Sequence, residues 1–176
     1  MSVPILVVIV GPIASGKSTI AAAVGDRLRQ SGRQVAVLDL DDVVETIGGF
    51  VDLPPERFRH AQMVLGKLVG SCIDHGFDVI AHGPFFQQDE DRALLQAVPA
   101  DIAPRRVLLH CTLDIALQRV AGDADRVLSA SPEFLRATYK RVEELLPTMP
   151  RSEWEFDPTF NDARSIVDEI ADALMH

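Results

Sequence analysis

Four residues at fixed spacing carry the clearest chemistry in the chain. Gly11, Gly16, Lys17 and Ser18, inside "VVIVGPIASGKSTI", satisfy G-x-x-x-x-G-K-[ST]. The glycines let the backbone wrap closely around an anion and turn several N–H groups inward. A helix opening near Lys17 adds its positive end. Lys17 would reach the β- and γ-phosphates of a nucleotide, and the Ser18 hydroxyl would ligate Mg²⁺. Gly11, Ala14, Ser15, Gly16, Lys17, Ser18 and Thr19 together form the candidate nucleotide-binding set, with ATP the expected donor and GTP still open.

A second group of chemistry-bearing residues follows in "LDLDDVVETI". If the segment is extended, Asp39 and Asp41 share a face while Leu38 and Leu40 point the other way. In a parallel sheet of sequentially adjacent strands, this strand end would lie beside the phosphate loop. Two carboxylates there can orient a Mg²⁺ shell and accept a proton from a substrate hydroxyl. Asp42-Val43-Val44-Glu45 has the form of a capping box, which makes Asp42 the expected start of a helix.

These residues need a scaffold, and the patterning supplies one. "PILVVIV" is a continuous apolar run, the signature of a strand buried on both faces. A helix is expected from about Lys17 to Gln30, with Ile20, Ala21, Val24 and Leu28 on one side and Gly32 as its cap. "QVAVLDL", "DVIAH", "RRVLLHC" and "EWEF" read as further strands. Helices are expected over about 59–75, 89–97 and 114–120, and again from Ser131-Pro132-Glu133, where a hydroxyl cap precedes a proline and a carboxylate. Leu135, Thr138, Tyr139, Val142 and Leu145 keep helical spacing along that helix, a mostly apolar stripe that Pro147 and Pro150 stop. Ile166, Ile170 and Leu174 stripe the final one. Strand alternating with helix implies an α/β domain: a five-stranded, mostly parallel sheet with helices on both faces. No repeat or linker interrupts it, so residues 1–176 read as a single domain.

Composition narrows the partners. The chain has 176 residues and a formal net charge of −9, which argues against a nucleic-acid partner, since phosphate backbones select basic surfaces. Cys72 and Cys111 are the only cysteines, fitting reduced thiols and a cytoplasmic setting. The N-terminal apolar run is too short to span a bilayer, lacks a preceding basic residue and reads as a strand, so no membrane partner is expected.

A phosphate loop, a D-x-D-type strand end, and an arginine-bearing segment before a late helix follow a recognisable order. In these features the chain resembles the small P-loop kinases, including shikimate, gluconate and adenylylsulfate kinases and chloramphenicol phosphotransferase. The resemblance implies a P-loop NTPase fold with a short lid over about 120–131, and MgATP as donor. Carried onto this sequence, it makes Asp41 the base candidate and Asp39 the metal-side residue. It sets "AHGPFF" at the substrate turn, where Phe85 and Phe86 either line an apolar wall or pack in the core. "QRVAGDADRVLSAS" falls at the lid, with Arg119 and Arg126 available to neutralise charge on the transferring phosphoryl group. "DPTF" resembles the adenine-side loop, through Asp157, Pro158 and Thr159. His82 is expected to be a neutral packed histidine.

The expectation is therefore a kinase that moves the γ-phosphate of ATP to a hydroxyl of a small metabolite or antibiotic-like acceptor, acting as a monomer or homodimer. Nucleoside or nucleotide kinase is the near alternative, although "HGPFFQ" lacks a D-G-F-P-R type of sequence. A guanine-nucleotide switch is disfavoured by the lack of N-K-x-D. A nucleotide-binding regulatory module with slow ATPase activity is the reading from a different class. Arg57, Arg59 and His60 either read the acceptor or form a solvated helix face.

Overall fold

The computed structural model describes residues 3–50, 52–121 and 131–175. Strand β1 (Leu6–Val10) is buried along its whole length. Helix α1 (Lys17–Gln30) follows the phosphate loop, then β2 (Val35–Asp39), α2 (Leu40–Thr46) and α3 (Pro55–Asp74). Next come β3 (Asp78–Gly83), α4 (Gln88–Leu95), β4 (Arg105–Leu109) and α5 (Leu113–Ala121). Helix α6 (Pro132–Leu145) runs into a 3-10 turn (Leu146–Thr148), and β5 (Trp154–Phe156) and α7 (Ala163–Met175) complete the described elements.

The five strands form one sheet in the order β2-β3-β1-β4-β5, with every pairing parallel. Alternation along β1 divides the core. Leu6, Val8 and Val10 face a cluster with Leu40 and Val44 of α2, Leu65 and Val69 of α3, and Phe85. Val7 and Ile9 face the opposite cluster, with Ile20, Val24 and Leu28 of α1 and Ile166 and Ile170 of α7. Each such aliphatic side chain, fully buried, is worth roughly 1.5–3 kcal/mol, so the sandwich holds β1 and the loop at its end firmly. A smaller third cluster joins Cys111, Ala116, Val120, Leu135 and Tyr139, with Ile13 and Ala14 packed against it.

The helix ends follow local chemistry. Ser131 caps α6 by accepting a hydrogen bond from the Phe134 N–H, with Pro132 at the first helical position. Helix α3 starts at Pro55, earlier than its apolar stripe suggests, because Pro54 and Pro55 initiate it. Its Gly66 and Gly70 admit α4 and the turn after it so closely that a Cβ would fall 2.2 Å from the Ala93 carbonyl oxygen at Gly66 and 2.3 Å from the Ala97 carbonyl oxygen at Gly70. Two ion pairs fasten the sheet's far side. Arg33 grips Asp78, whose Oδ1 also accepts from the Ile5 N–H at 2.9 Å, and Arg106 Nη2 spans both oxygens of Asp91 at 2.7 and 2.8 Å.

Candidate functional site

The phosphate loop connects the C-terminal end of β1 to α1. Gly16 caps α1 with φ of 96°, and Ala14 also takes a left-handed φ of 61°. Ala14 is the more informative, since a Cβ in that region costs roughly 1–2 kcal/mol. A Cβ on Gly11 would lie 2.4 Å from the Leu109 carbonyl and 2.5 Å from Ser15 Oγ, so no larger residue fits without a shift. Ser15 is fully buried, and its hydroxyl has no hydrogen-bond partner among the described residues. Lys17 Nζ donates to the Pro12 carbonyl at 2.9 Å. Ser18 and Thr19 are exposed at the mouth of the loop. An orphaned buried hydroxyl, a position at Gly11 that admits only glycine and a lysine on the same loop fit an anionic ligand such as a nucleotide's phosphates.

The carboxylates reach this loop by a different route from that expected. Strand β3 lies between β1 and β2, so the end of β2 is two strands away, about 10 Å across the sheet. Strand β2 also ends at Asp39, and Asp41 lies in the first turn of α2 rather than on an extended face. Asp39, not Asp42, is the N-cap: its Oδ1 accepts from the Asp41 N–H at 3.0 Å. The capping-box reading of Asp42 is thus displaced, because the chain turns helical as soon as Leu40 enters the core. Lys17 still acts electrostatically on both Asp39 and Asp41, lowering each carboxyl against stronger opposing effects.

Burial is the main cause that raises the Asp39 carboxyl above the ordinary carboxylate range, helped by the Asp42 charge and opposed by the Asp41 N–H. Asp41 keeps an exposed surface. Even so, protein crowded around its carboxyl raises it by desolvation first and by the neighbouring Asp39 charge second. His82, paired in register with Asp39, is 3% exposed. Burial and then Lys17 lower it to about 4, so it is neutral at pH 7. Its Nδ1 stands 3.4 Å from Asp39 Oδ1 without making a hydrogen bond. This matches the packed, neutral histidine expected from the sequence.

The substrate-turn aromatics differ from one of their two readings. Phe85 and Phe86 are 1% and 4% exposed and both belong to the main core, so neither forms an open wall. Gly83 accommodates that packing: a Cβ there would meet the Phe85 ring at 2.9 Å and Leu40 Cβ at 3.1 Å. Arg57 donates to the Gly48 and Asp52 carbonyls and Arg59 pairs with Asp89 at 3.5 Å, which engages both in the surface around α3.

Arg119, at the end of α5, bridges two segments. Nη1 donates to the Ala14 carbonyl at 2.9 Å and Nη2 to the Pro158 carbonyl at 3.1 Å. A groove of about 410 Å³ opens there, lined by Ala14, Gly16, Thr19, Arg119, Pro158 and Asn161 among others. Asp157 holds the turn by accepting from the Thr159 N–H at 2.8 Å. A second cavity, about 520 Å³, lies between the ends of β4 and β5 and the turn after α6, with His110, Met149 and Arg151 in its lining. Neither cavity has Asp41 in its lining. Arg126 and most of the expected lid lie outside the described residues. Among the described residues, no group of three His, Cys, Asp or Glu side chains is arranged to hold a metal, and no helix is long and apolar enough to cross a membrane.

Two residues close to the loop escape sequence reasoning. Tyr139 reads as one member of an apolar stripe, yet its hydroxyl donates to the Ile13 carbonyl at 2.9 Å. Cys111 Sγ lies 3.2 Å from that hydroxyl. No local motif marks either one, because the loop carbonyls they reach are more than ninety positions away in the chain.

A family model described as an AAA domain matches residues 6–122, from β1 through the end of α5. The chain belongs to the AAA domain family. No curated protein matches this AAA domain by sequence. Its fold is shared with small P-loop kinases over essentially the full length. APS kinase from Mycobacterium tuberculosis, solved with AMPPNP and APS, superposes with a TM-score of 0.70 at 21% identity, covering 100% of each chain. Shikimate kinase from Acinetobacter baumannii, solved with shikimate, gives 0.68 at 21% identity, covering 98% of this chain and 93% of that one. A gluconokinase from Sinorhizobium meliloti gives 0.65 at 16% identity, with 99% and 98% covered. The fold class and the family resemblance read from the sequence are both borne out.

Proposed function

We propose that residues 1–176 form one kinase domain that transfers the γ-phosphate of ATP to a hydroxyl group of a small molecule. The observation that carries this reading is the juxtaposition of two unlike halves. A glycine-walled anion cradle ends in Lys17, and Lys17 acts electrostatically on the half-buried Asp39 and the adjacent Asp41. A phosphate-binding loop alone suits a hydrolase equally well. A carboxylate with an elevated proton affinity, within electrostatic reach of the loop's lysine, suits the activation of an acceptor hydroxyl.

In this reading the loop amides and Lys17 hold the phosphate oxygens. The Gly11–Thr19 segment and Arg119 bind the donor, with the base in the groove between Arg119 and Pro158. Ser18 would ligate Mg²⁺ with Asp39 toward its water shell, an arrangement suited to an ion that retains several waters. The ion would neutralise charge on the phosphates. Asp41 would position the acceptor hydroxyl and take its proton. Arg126 belongs to the lid in this proposal and would meet the transferring group. Catalysis would then be mostly positioning and electrostatic stabilisation. APS kinase and shikimate kinase, each solved with a small-molecule substrate, support the reading by their shared fold.

The test is an ATP-consumption screen against hydroxylated metabolites and antibiotics, repeated with Asp41→Asn. A kinase shows acceptor-dependent turnover, and the substitution lowers kcat by about 10²–10⁴. Turnover that never rises above the acceptor-free background would favour the regulatory-module reading. Acceptor-dependent turnover undamaged by the substitution would remove Asp41 as the base.

A further inference from the structure

We propose that Tyr139 is a positioning residue for the phosphate loop, holding the Ile13 carbonyl outward so that the Ala14 N–H faces the ligand before it arrives. The proposal rests on the nucleotide-binding part of the function above, and it gives Tyr139 a role beyond core packing.

The argument starts from peptide geometry. In a trans peptide the carbonyl of one residue and the N–H of the next point in opposite directions. A carbonyl captured on the outer side of a loop therefore turns the following N–H inward. Two consecutive carbonyls of this loop are captured in this way. Tyr139 takes the Ile13 carbonyl at 2.9 Å, which orients the Ala14 N–H. Arg119 takes the Ala14 carbonyl at 2.9 Å, which turns the Ser15 N–H back toward the Pro12 carbonyl, its partner at 3.3 Å, and closes the turn of the loop. Cys111 Sγ lies 3.9 Å from the same Ala14 carbonyl and 3.2 Å from the Tyr139 hydroxyl, linking the two grips.

The loop needs such support. Ala14 holds a left-handed φ of 61°, where a Cβ is unfavourable, so the conformation must be imposed from outside. The supports come from the two helices on either side of residues 122–130, Arg119 from α5 and Tyr139 from α6. Those helices meet in the third core cluster, whose apolar side chains pack directly on Ile13 and Ala14. Tyr139 is 3% exposed, so its ring is fixed and its hydroxyl reaches the loop with little remaining freedom. A phenylalanine would fill the same space and release the carbonyl.

The experiment compares Tyr139→Phe with Val142→Ala, which removes bulk from the same helix at a residue packed in the main core. Both proteins are titrated with a fluorescent ATP analogue, melted, and followed by amide hydrogen exchange without nucleotide. Tyr139→Phe is expected to weaken nucleotide binding about five- to tenfold, toward the upper end of what one lost hydrogen bond contributes. It should also speed exchange at the Ala14 and Ser15 amides. Val142→Ala should lower Tm at least as much and leave binding within about twofold, as expected for a core truncation. Binding by Tyr139→Phe indistinguishable from wild type, or an equal loss in both variants, would overturn the proposal. Unchanged exchange at Ala14 and Ser15 would do the same. Failure of the wild-type protein to bind the nucleotide would instead sink the kinase reading, and this inference with it.

Discussion

Arg119 donates to the carbonyl of Ala14 at 2.9 Å, joining the last turn of α5 to the strained residue of the phosphate loop. Its other terminal nitrogen reaches Pro158, so one side chain closes the groove proposed for the base. Arg119→Ala is expected to raise the Kd for ATP by roughly tenfold or more, since hydrogen bonds from charged groups are worth about 1.5–3 kcal/mol. Arg119→Lys should recover little of this, because a single ammonium cannot span both carbonyls. Titration with a fluorescent nucleotide measures both, and an unchanged Kd in the alanine variant would count against the role.

Asp41 should show function and stability in opposition. Its carboxyl is raised by burial and by Asp39, so the folded protein binds the proton more tightly than the unfolded chain. Such a group makes stability fall as pH rises from the ordinary carboxylate range through the raised value, leaving a penalty at pH 7. Asp41→Asn should therefore raise Tm at pH 7 while lowering acceptor-dependent kcat. The wild-type rate should fall on acidification through that same raised range as the base becomes protonated. A Tm lowered by the substitution would contradict the electrostatic account.

His82 predicts acid sensitivity of the opposite sign. Its folded-state pKa, near 4, lies below the ordinary 6.5, mainly through burial and then through Lys17. The unfolded chain binds the extra proton first, so this contribution is complete above pH 6.5 and is lost as pH falls toward 4. Two and a half pKa steps correspond to roughly 3 kcal/mol. Asp39 and Asp41, facing the same ring, offset part of this at the acid end. Urea unfolding at pH 6.5 and pH 4.5 should show a smaller difference in His82→Gln than in wild type. Equal differences would refute the assignment.

Gly66→Ala tests the contact between α3 and α4. The added Cβ would lie 2.2 Å from a backbone oxygen of α4, which can move only with its helix. Overpacking of this kind costs typically 1–3 kcal/mol, enough to lower the urea midpoint clearly. Gly32, with open space around its Cβ position, provides the comparison in which only its left-handed backbone is strained.

The elements that were legible in the sequence share a local cause. The α1 boundaries, the Ser131 cap and the buried run of β1 all follow from neighbouring residues competing for hydrogen bonds or burial. The Asp42 capping pattern was equally local, yet it lost to Asp39, because burial of Leu40 started the helix earlier. Phe85 and Phe86 were ambiguous for the same reason: an aromatic beside a glycine reads alike whether it faces a ligand or a core.

By itself the sequence determined the phosphate loop, the alternating α/β plan and the family resemblance, since each depends on residue types at short, fixed spacing. Only the tertiary structure decided that β3 separates β1 from β2, and which side chains support the loop from outside. Strand order and contacts such as Tyr139 to Ile13 are set by how apolar faces are shared across the whole chain. Residues more than a hundred positions apart meet there, and no local pattern encodes that meeting.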